Sequence, residues 1–227
     1  MADGYELTMS SSAPAVAAPV KPTLRGVSHL VAFFVALVAG PVLVAQSTTT
    51  TARVTTTIYA LSMVALFGCS ALLHRGNWSD RARPWFRRLD HSTIFVFIAG
   101  TYTPVSALSL SSASATLVLV AVWIGAAAGV LATIFWIDAP RGITAACYIL
   151  VGWIAVLAIP ALWSALGPAQ FALLAAGGIL YTLGAVVYAR KRPDPVPAVF
   201  GYHEVFHALV IAAVICHYAL ITALVHG

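Results

Sequence analysis

Long apolar runs separated by short polar breaks dominate this chain. A helix needs about 20 apolar residues to cross the hydrocarbon core of a bilayer. Seven runs approach or exceed that length: Val27–Ala45, Val54–Leu73, Ser92–Leu110, Thr116–Trp136, Ile143–Trp163, Ala169–Tyr188 and Tyr202–Leu224. The breaks hold polar clusters and helix breakers, among them Gln46 to Thr51, Ser109 to Ser114, Asp138-Ala139-Pro140, Gly167-Pro168 and Pro193-Asp194-Pro195. Barrel strands are excluded, because the runs are continuous rather than alternating and are too long. The pattern predicts an all-α integral membrane protein built as a seven-transmembrane helix bundle.

Composition agrees. Of 227 residues, 61% are hydrophobic and 8% are charged. A soluble domain carries roughly a quarter charged residues, so this chain lacks the charge to coat itself with a water-facing surface. The placing of that charge sets the orientation. Lys21 and Arg25 precede the first run; Arg75, Arg81, Arg83, Arg87 and Arg88 follow the second; Arg141 follows the fourth; Arg190, Lys191 and Arg192 follow the sixth. Eleven of the 12 basic residues thus share one side and only Arg53 lies opposite. Short loops rich in Lys and Arg stay cytoplasmic, which puts the N-terminus inside and the C-terminus outside.

The net charge of +5 is explained by these loops and by anionic headgroups, so nucleic acid is not an expected partner. The lipid bilayer is. Cys69, Cys147 and Cys216 all fall within apolar runs and suggest no disulfide framework. Residues 1–24 lack the basic start and apolar core of a signal peptide and read as a disordered cytoplasmic tail. Residues 25–227 form the seven-span domain, with the first span serving as an uncleaved signal anchor.

This topology decides which polar residues can meet. His74 ends the second span at the cytoplasmic boundary, Asp90 and His91 open the third, and His203, Glu204 and His207 lie in the first two turns of the seventh. His203 and His207 are four apart, so one helix face presents both to a single ion. His74 supplies a third imidazole at the same depth. Three imidazoles with an open position make the ligand set of a catalytic zinc, although copper, nickel and iron also accept such ligands.

Plainer readings stand beside this one. A lone histidine at a helix end is ordinarily a hydrogen-bonded interfacial residue. Asp90 sits beside Arg87 and Arg88, so an ion pair is its simplest role; facing the ion, it would orient or deprotonate water. Ser70 lies one turn before His74 on the same face and could steady that water, or merely bond its own helix. The string from His203 to His207 fits the H-E-x-x-H pattern of zinc proteases. It is short and lacks a following ligand, so Glu204 is either a second base or a charge favourable to the start of its helix. His29 and His91 share the inner side without chelating spacing. His217 and His226 lie about 15 and 28 Å beyond His207 along the helix, and neither they nor Cys216 can reach the same ion.

Several stretches carry a family resemblance: Leu24 to His29, Ser70-Ala71-Leu72-Leu73-His74, Arg88-Leu89-Asp90-His91-Ser92, Ala99 to Pro104, and Gly201 to His207. In these the chain resembles the bacterial hemolysin III branch of the progestin and adipoQ receptor superfamily. The resemblance implies a seven-helix bundle in a bacterial inner membrane with zinc near the cytoplasmic face. Its ligands would be His74, His203 and His207, with Asp90 on the water and Ser70 adjacent. It further implies ceramidase-like amide hydrolysis, with a membrane lipid as substrate and a place in lipid homeostasis. The receptors' long N-terminal domain has no counterpart here, so hormone binding is not expected. Two alternatives remain. One is a cytolytic pore, which would need homo-oligomers lining a path with Ser and Thr. The other is a non-catalytic sensor in which the ion staples two helices.

Overall fold

The computed structural model describes residues 21–226. Eight helices occur among the described residues: α1 (Val27–Gln46), α2 (Thr50–Arg75), α3 (Arg83–Ser109), α4 (Ser112–Phe135), α5 (Arg141–Gly152), α6 (Ile159–Ala165), α7 (Pro168–Arg190) and α8 (Tyr202–His226). A 3-10 stretch, Trp153–Ala158, joins α5 to α6, and these three pieces together make the fifth of seven membrane spans. The seven-helix membrane fold expected from the apolar runs is the observed one. The tail expected over residues 1–24 lies largely outside the described residues. Its last part is tied down, with the Thr23 and Leu24 amides donating to the carbonyls of Ala198 and Val199.

Helix ends follow local chemistry. Thr49 caps α2 by accepting from the Ala52 amide at 3.1 Å, and Ser111 occupies the same position before α4. The third helix starts at Arg83, well before the apolar run at Ser92. Hydropathy marks the hydrocarbon slab rather than the helix, and the polar turns of α3 project past it. Within the slab, hydroxyls bond back to their own helices: Thr56 to Ala52, Thr101 to Phe97 and Thr133 to Gly129, at 2.7 to 2.9 Å. Hydrocarbon offers no water to satisfy a free hydroxyl, and the backbone carbonyl one turn earlier replaces it.

Consecutive helices α1 to α4 pack side by side, and α7 packs along α8. Helices α2 and α3 bury the largest share of their length. The core holds Leu43, Tyr59, Phe95, Leu220 and Ile221, none more than 2% exposed. Apolar side chains gain little by leaving lipid for protein, so close backbone approach and shape fit hold such bundles together.

The fifth span departs from this regularity. Gly152 ends α5, and Pro160 in the first turn of α6 has no amide to donate to the preceding turn. The Tyr102 hydroxyl of α3 fills the gap, donating to the Gly152 carbonyl at 2.6 Å and accepting from the Ala155 amide at 2.7 Å. The break that the sequence reading does not foresee is thereby mended by a side chain from another helix.

The adjacent glycines of α7 have unlike surroundings. A Cβ on Gly177 would sit 2.2 Å from Nε2 of His217, whereas one on Gly178 would meet nothing within 4 Å. Gly177→Ala is expected to lower stability by about 1–3 kcal/mol through overpacking, and Gly178→Ala to be neutral or stabilising by up to about 1 kcal/mol. Thermal unfolding of the two variants in detergent checks this pair.

Candidate metal centre

The last turn of α2 and the first two turns of α8 meet at the basic end of the bundle. His203 Nε2 lies 3.0 Å from His74 Nε2, and one donor nitrogen from each of His74, His203 and His207 falls within 4.8 Å of the others. Ring centroids are 4.4 Å apart for His203 and His207, and 4.7 and 5.2 Å from His74 to each in turn. His203 is 9% and His207 2% exposed. The three histidines singled out in the sequence therefore do converge.

The residues fit a metal. Zinc–nitrogen bonds of about 2.0–2.1 Å in a tetrahedron put ligand nitrogens roughly 3.3 Å apart, within the spread found here. His207 Nδ1 is buried without a hydrogen-bond partner. Imidazole-only ligation suits zinc, copper, nickel and iron alike.

Around this trio lies a second layer. His29, in the first turn of α1, stacks on the His207 ring with centroids 3.7 Å apart and planes 11° from parallel. Its Nδ1 is 2.8 Å from the Ser70 hydroxyl, and that hydroxyl also faces the Asp90 carboxylate. Asp90 is 7% exposed. Its arginine neighbours in sequence turn elsewhere: Arg87 pairs with Asp138 at 2.5 Å, and Arg88 donates to the Ile134 carbonyl at 2.9 Å. Asp90 is thus left to Ser70 and the interior. His29 carries no spacing signal in the sequence, so shared depth alone could have brought it forward.

Glu204, next to His203 in the chain, makes two contacts outside the trio. One carboxylate oxygen accepts from the Gly201 amide at 2.9 Å, and the other meets Arg25 Nε at 2.5 Å. The first contact caps the start of α8, and the second ties α8 to the segment before α1. That segment also lies directly on the site. Gly26 has φ of +77°, and a Cβ there would stand 2.4 Å from His74 Cβ, so a glycine is required on both counts. His91 lies across the interior with its ring 6.4 Å from Tyr188. His217 and His226 lie further along α8, as their spacing requires; His226 Nδ1 hydrogen-bonds the Thr222 carbonyl at 2.8 Å.

Two of the three imidazoles, those of His203 and His207, border a cavity of about 270 Å³. Ser70, Asp90, His203 and His207 line its inner end, and Ser106, Leu110, Val118 and Leu162 line the outer end. Its walls between are chiefly apolar.

Residues 18–218 match the family of haemolysin-III-related proteins. The chain belongs to that family. Hemolysin-3 of Bacillus cereus is 36% identical over 144 residues, which is 63% of this chain and 65% of that protein. The Hemolysin-3 homolog of Bacillus subtilis (strain 168) is 34% identical over 155 residues, covering 68% and 70%. A human protein, monocyte to macrophage differentiation factor, is 25% identical over 170 residues, covering 73% and 68%. Every residue of the trio and its second layer lies inside the matched region. The chain is a multi-pass membrane protein with bacterial relatives.

Purified wild-type protein is expected to carry about one equivalent of a transition metal ion by elemental analysis, and His74→Ala to lose it. Glu204→Gln should keep the metal while losing about 1–3 kcal/mol of stability, since Arg25 loses its charged partner.

Proposed function

We propose that this haemolysin-III-related protein is a zinc-dependent hydrolase cleaving an amide or ester bond of a membrane lipid. The observation that carries the reading is that His203 and His207 of the trio line one largely apolar cavity together with Asp90. His74, His203 and His207 would hold the ion. Zinc in such a site supplies Lewis acidity to polarise a carbonyl and to activate water.

The chain's own groups supply the remainder. Asp90 accepts the proton of the attacking water on a carboxylate oxygen and returns it to the departing amine or alkoxide. Water oxygen bonds to the acyl carbon, the carbon–nitrogen or carbon–oxygen bond breaks, and a fatty acid leaves. Ser70, held by His29, points its hydroxyl at Asp90 and fixes the carboxylate that moves the proton. The apolar cavity takes the acyl chain and keeps bulk water away. Glu204 serves the fold, with both oxygens engaged by Gly201 and Arg25.

A second reading draws on one further observation. Helices α2 and α8 have little direct packing with each other, and the His74–His203 contact bridges them. An ion there would staple two otherwise separate helices, and a sensor could use that joint without turnover. Haemolysis belongs to the names of the Bacillus relatives. A pore needs a polar path, and the cavity walls here are mostly apolar.

Zinc-loaded protein is expected to release fatty acid from defined ceramides or phospholipids. Asp90→Asn should lower kcat by about 10²–10⁴-fold with metal content retained, and His203→Ala should abolish both. Turnover unchanged in His203→Ala would sink the hydrolase reading. Absence of turnover, together with a melting temperature lowered by chelation, would favour the staple.

A further inference from the structure

Deep in the bundle, away from the histidine trio, a second set of polar atoms has no partner. His217 on α8 is 7% exposed, and its ring lies 5.5 Å from that of Tyr181 on α7. His217 Nδ1 and the Tyr181 hydroxyl are both buried, and neither makes a hydrogen bond. Both residues line the cavity that begins at the trio. Tyr59 of α2, itself wholly buried, adds a third unbonded hydroxyl in the packed cluster against which Tyr181 rests.

The chemistry of the pair can be read from its one fixed contact. His217 Nε2 lies 3.3 Å from the Leu174 carbonyl, which can only accept. The ring proton therefore sits on Nε2, and Nδ1 is left as an acceptor. Tyr181 can donate or accept. Gly177 makes the arrangement possible, because any side chain there would overlap the imidazole. Both residues border the cavity while these two atoms are turned from it. A ligand that draws the side chains round meets an acceptor and a phenol, which together match an alcohol that donates to one and accepts from the other. A carboxylate has no proton for Nδ1, and a carbonyl would leave that nitrogen unmet.

We infer that His217 and Tyr181 form a binding site for a hydroxyl group borne on an apolar ligand in the cavity. Where that hydroxyl stands along the ligand rests on the proposed lipid reading, with the head at the trio. His217 is ten residues beyond His207, about 15 Å along α8 and so about a dozen carbon–carbon bonds of an extended chain. The ligand class is a fatty acyl chain hydroxylated near its middle.

Equilibrium binding to the zinc-loaded full chain in detergent tests this, with octadecanoic, 12-hydroxyoctadecanoic and 2-hydroxyoctadecanoic acids as probes. The 12-hydroxy acid should bind roughly tenfold or more tighter than the unsubstituted acid, since only it satisfies the buried pair. The 2-hydroxy acid should show no such gain. Tyr181→Phe removes only an unbonded hydroxyl and should fold normally. It should reduce the preference severalfold while leaving octadecanoic acid binding unchanged.

Equal affinity of the 12-hydroxy and unsubstituted acids in wild type would mean that the pair does not engage a ligand hydroxyl, and would overturn the inference. So would an equal gain for the 2-hydroxy acid, a full preference retained in Tyr181→Phe, or failure of all three acids to bind. A hydroxyl preference without any lipid hydrolysis would remove the hydrolase reading and leave this one standing.

Discussion

A polar side chain inside hydrocarbon must find a partner in the protein, because the solvent supplies none. Most threonines within the spans obey that constraint in the cheapest way, by bonding their own helix. Thr101 and Thr133 bind carbonyls one turn back, and no second element is involved. The residues that depart from this pattern mark the places where the molecule is organised across helices. Tyr102, His217 and Tyr218 are scattered examples, and one cluster lies at the basic end, where His29, Ser70, Asp90, His203, Glu204 and His207 are all buried.

Among the ties that close that end are the ion pair of Arg25, just before α1, with Glu204 and the contact of His74 with His203. A buried ion pair adds little net stability, but removal of one partner leaves an uncompensated charge, so the pair works as a registration device for α1 against α8. The histidine contact does the same for α2 against α8. Rigid ligand placement follows from both, since the seventh span is fixed from two directions before any ion arrives. Stacking of His29 on His207 adds a third direction.

The fold was highly legible because its decisive signal is one-dimensional. An apolar run of span length is a helix wherever it occurs, and seven of them in alternating orientation place both ends of every helix. Depth then followed by counting, which is why His74 could be matched with His203 across 129 residues of sequence separation. Rotation about each helix axis was not legible. Nothing in the chain shows that Asp90 turns from Arg87 and Arg88 toward Ser70, or that Arg25 reaches Glu204. His29 sits at the right depth, yet only tertiary packing tells that it lies on His207 while His91 does not. The fifth span reads as one run, although Gly152 and Pro160 are the punctuation that splits it.

That split has a mechanical consequence. A helix interrupted in a membrane would ordinarily have to be remade or flooded, yet here a phenol oxygen from α3 stands in for the missing turn. The interruption of the fifth span is therefore part of the resting architecture, anchored to one of the most buried helices of the bundle. The hollow behind it exists before a guest arrives, and no segment has to melt to make room.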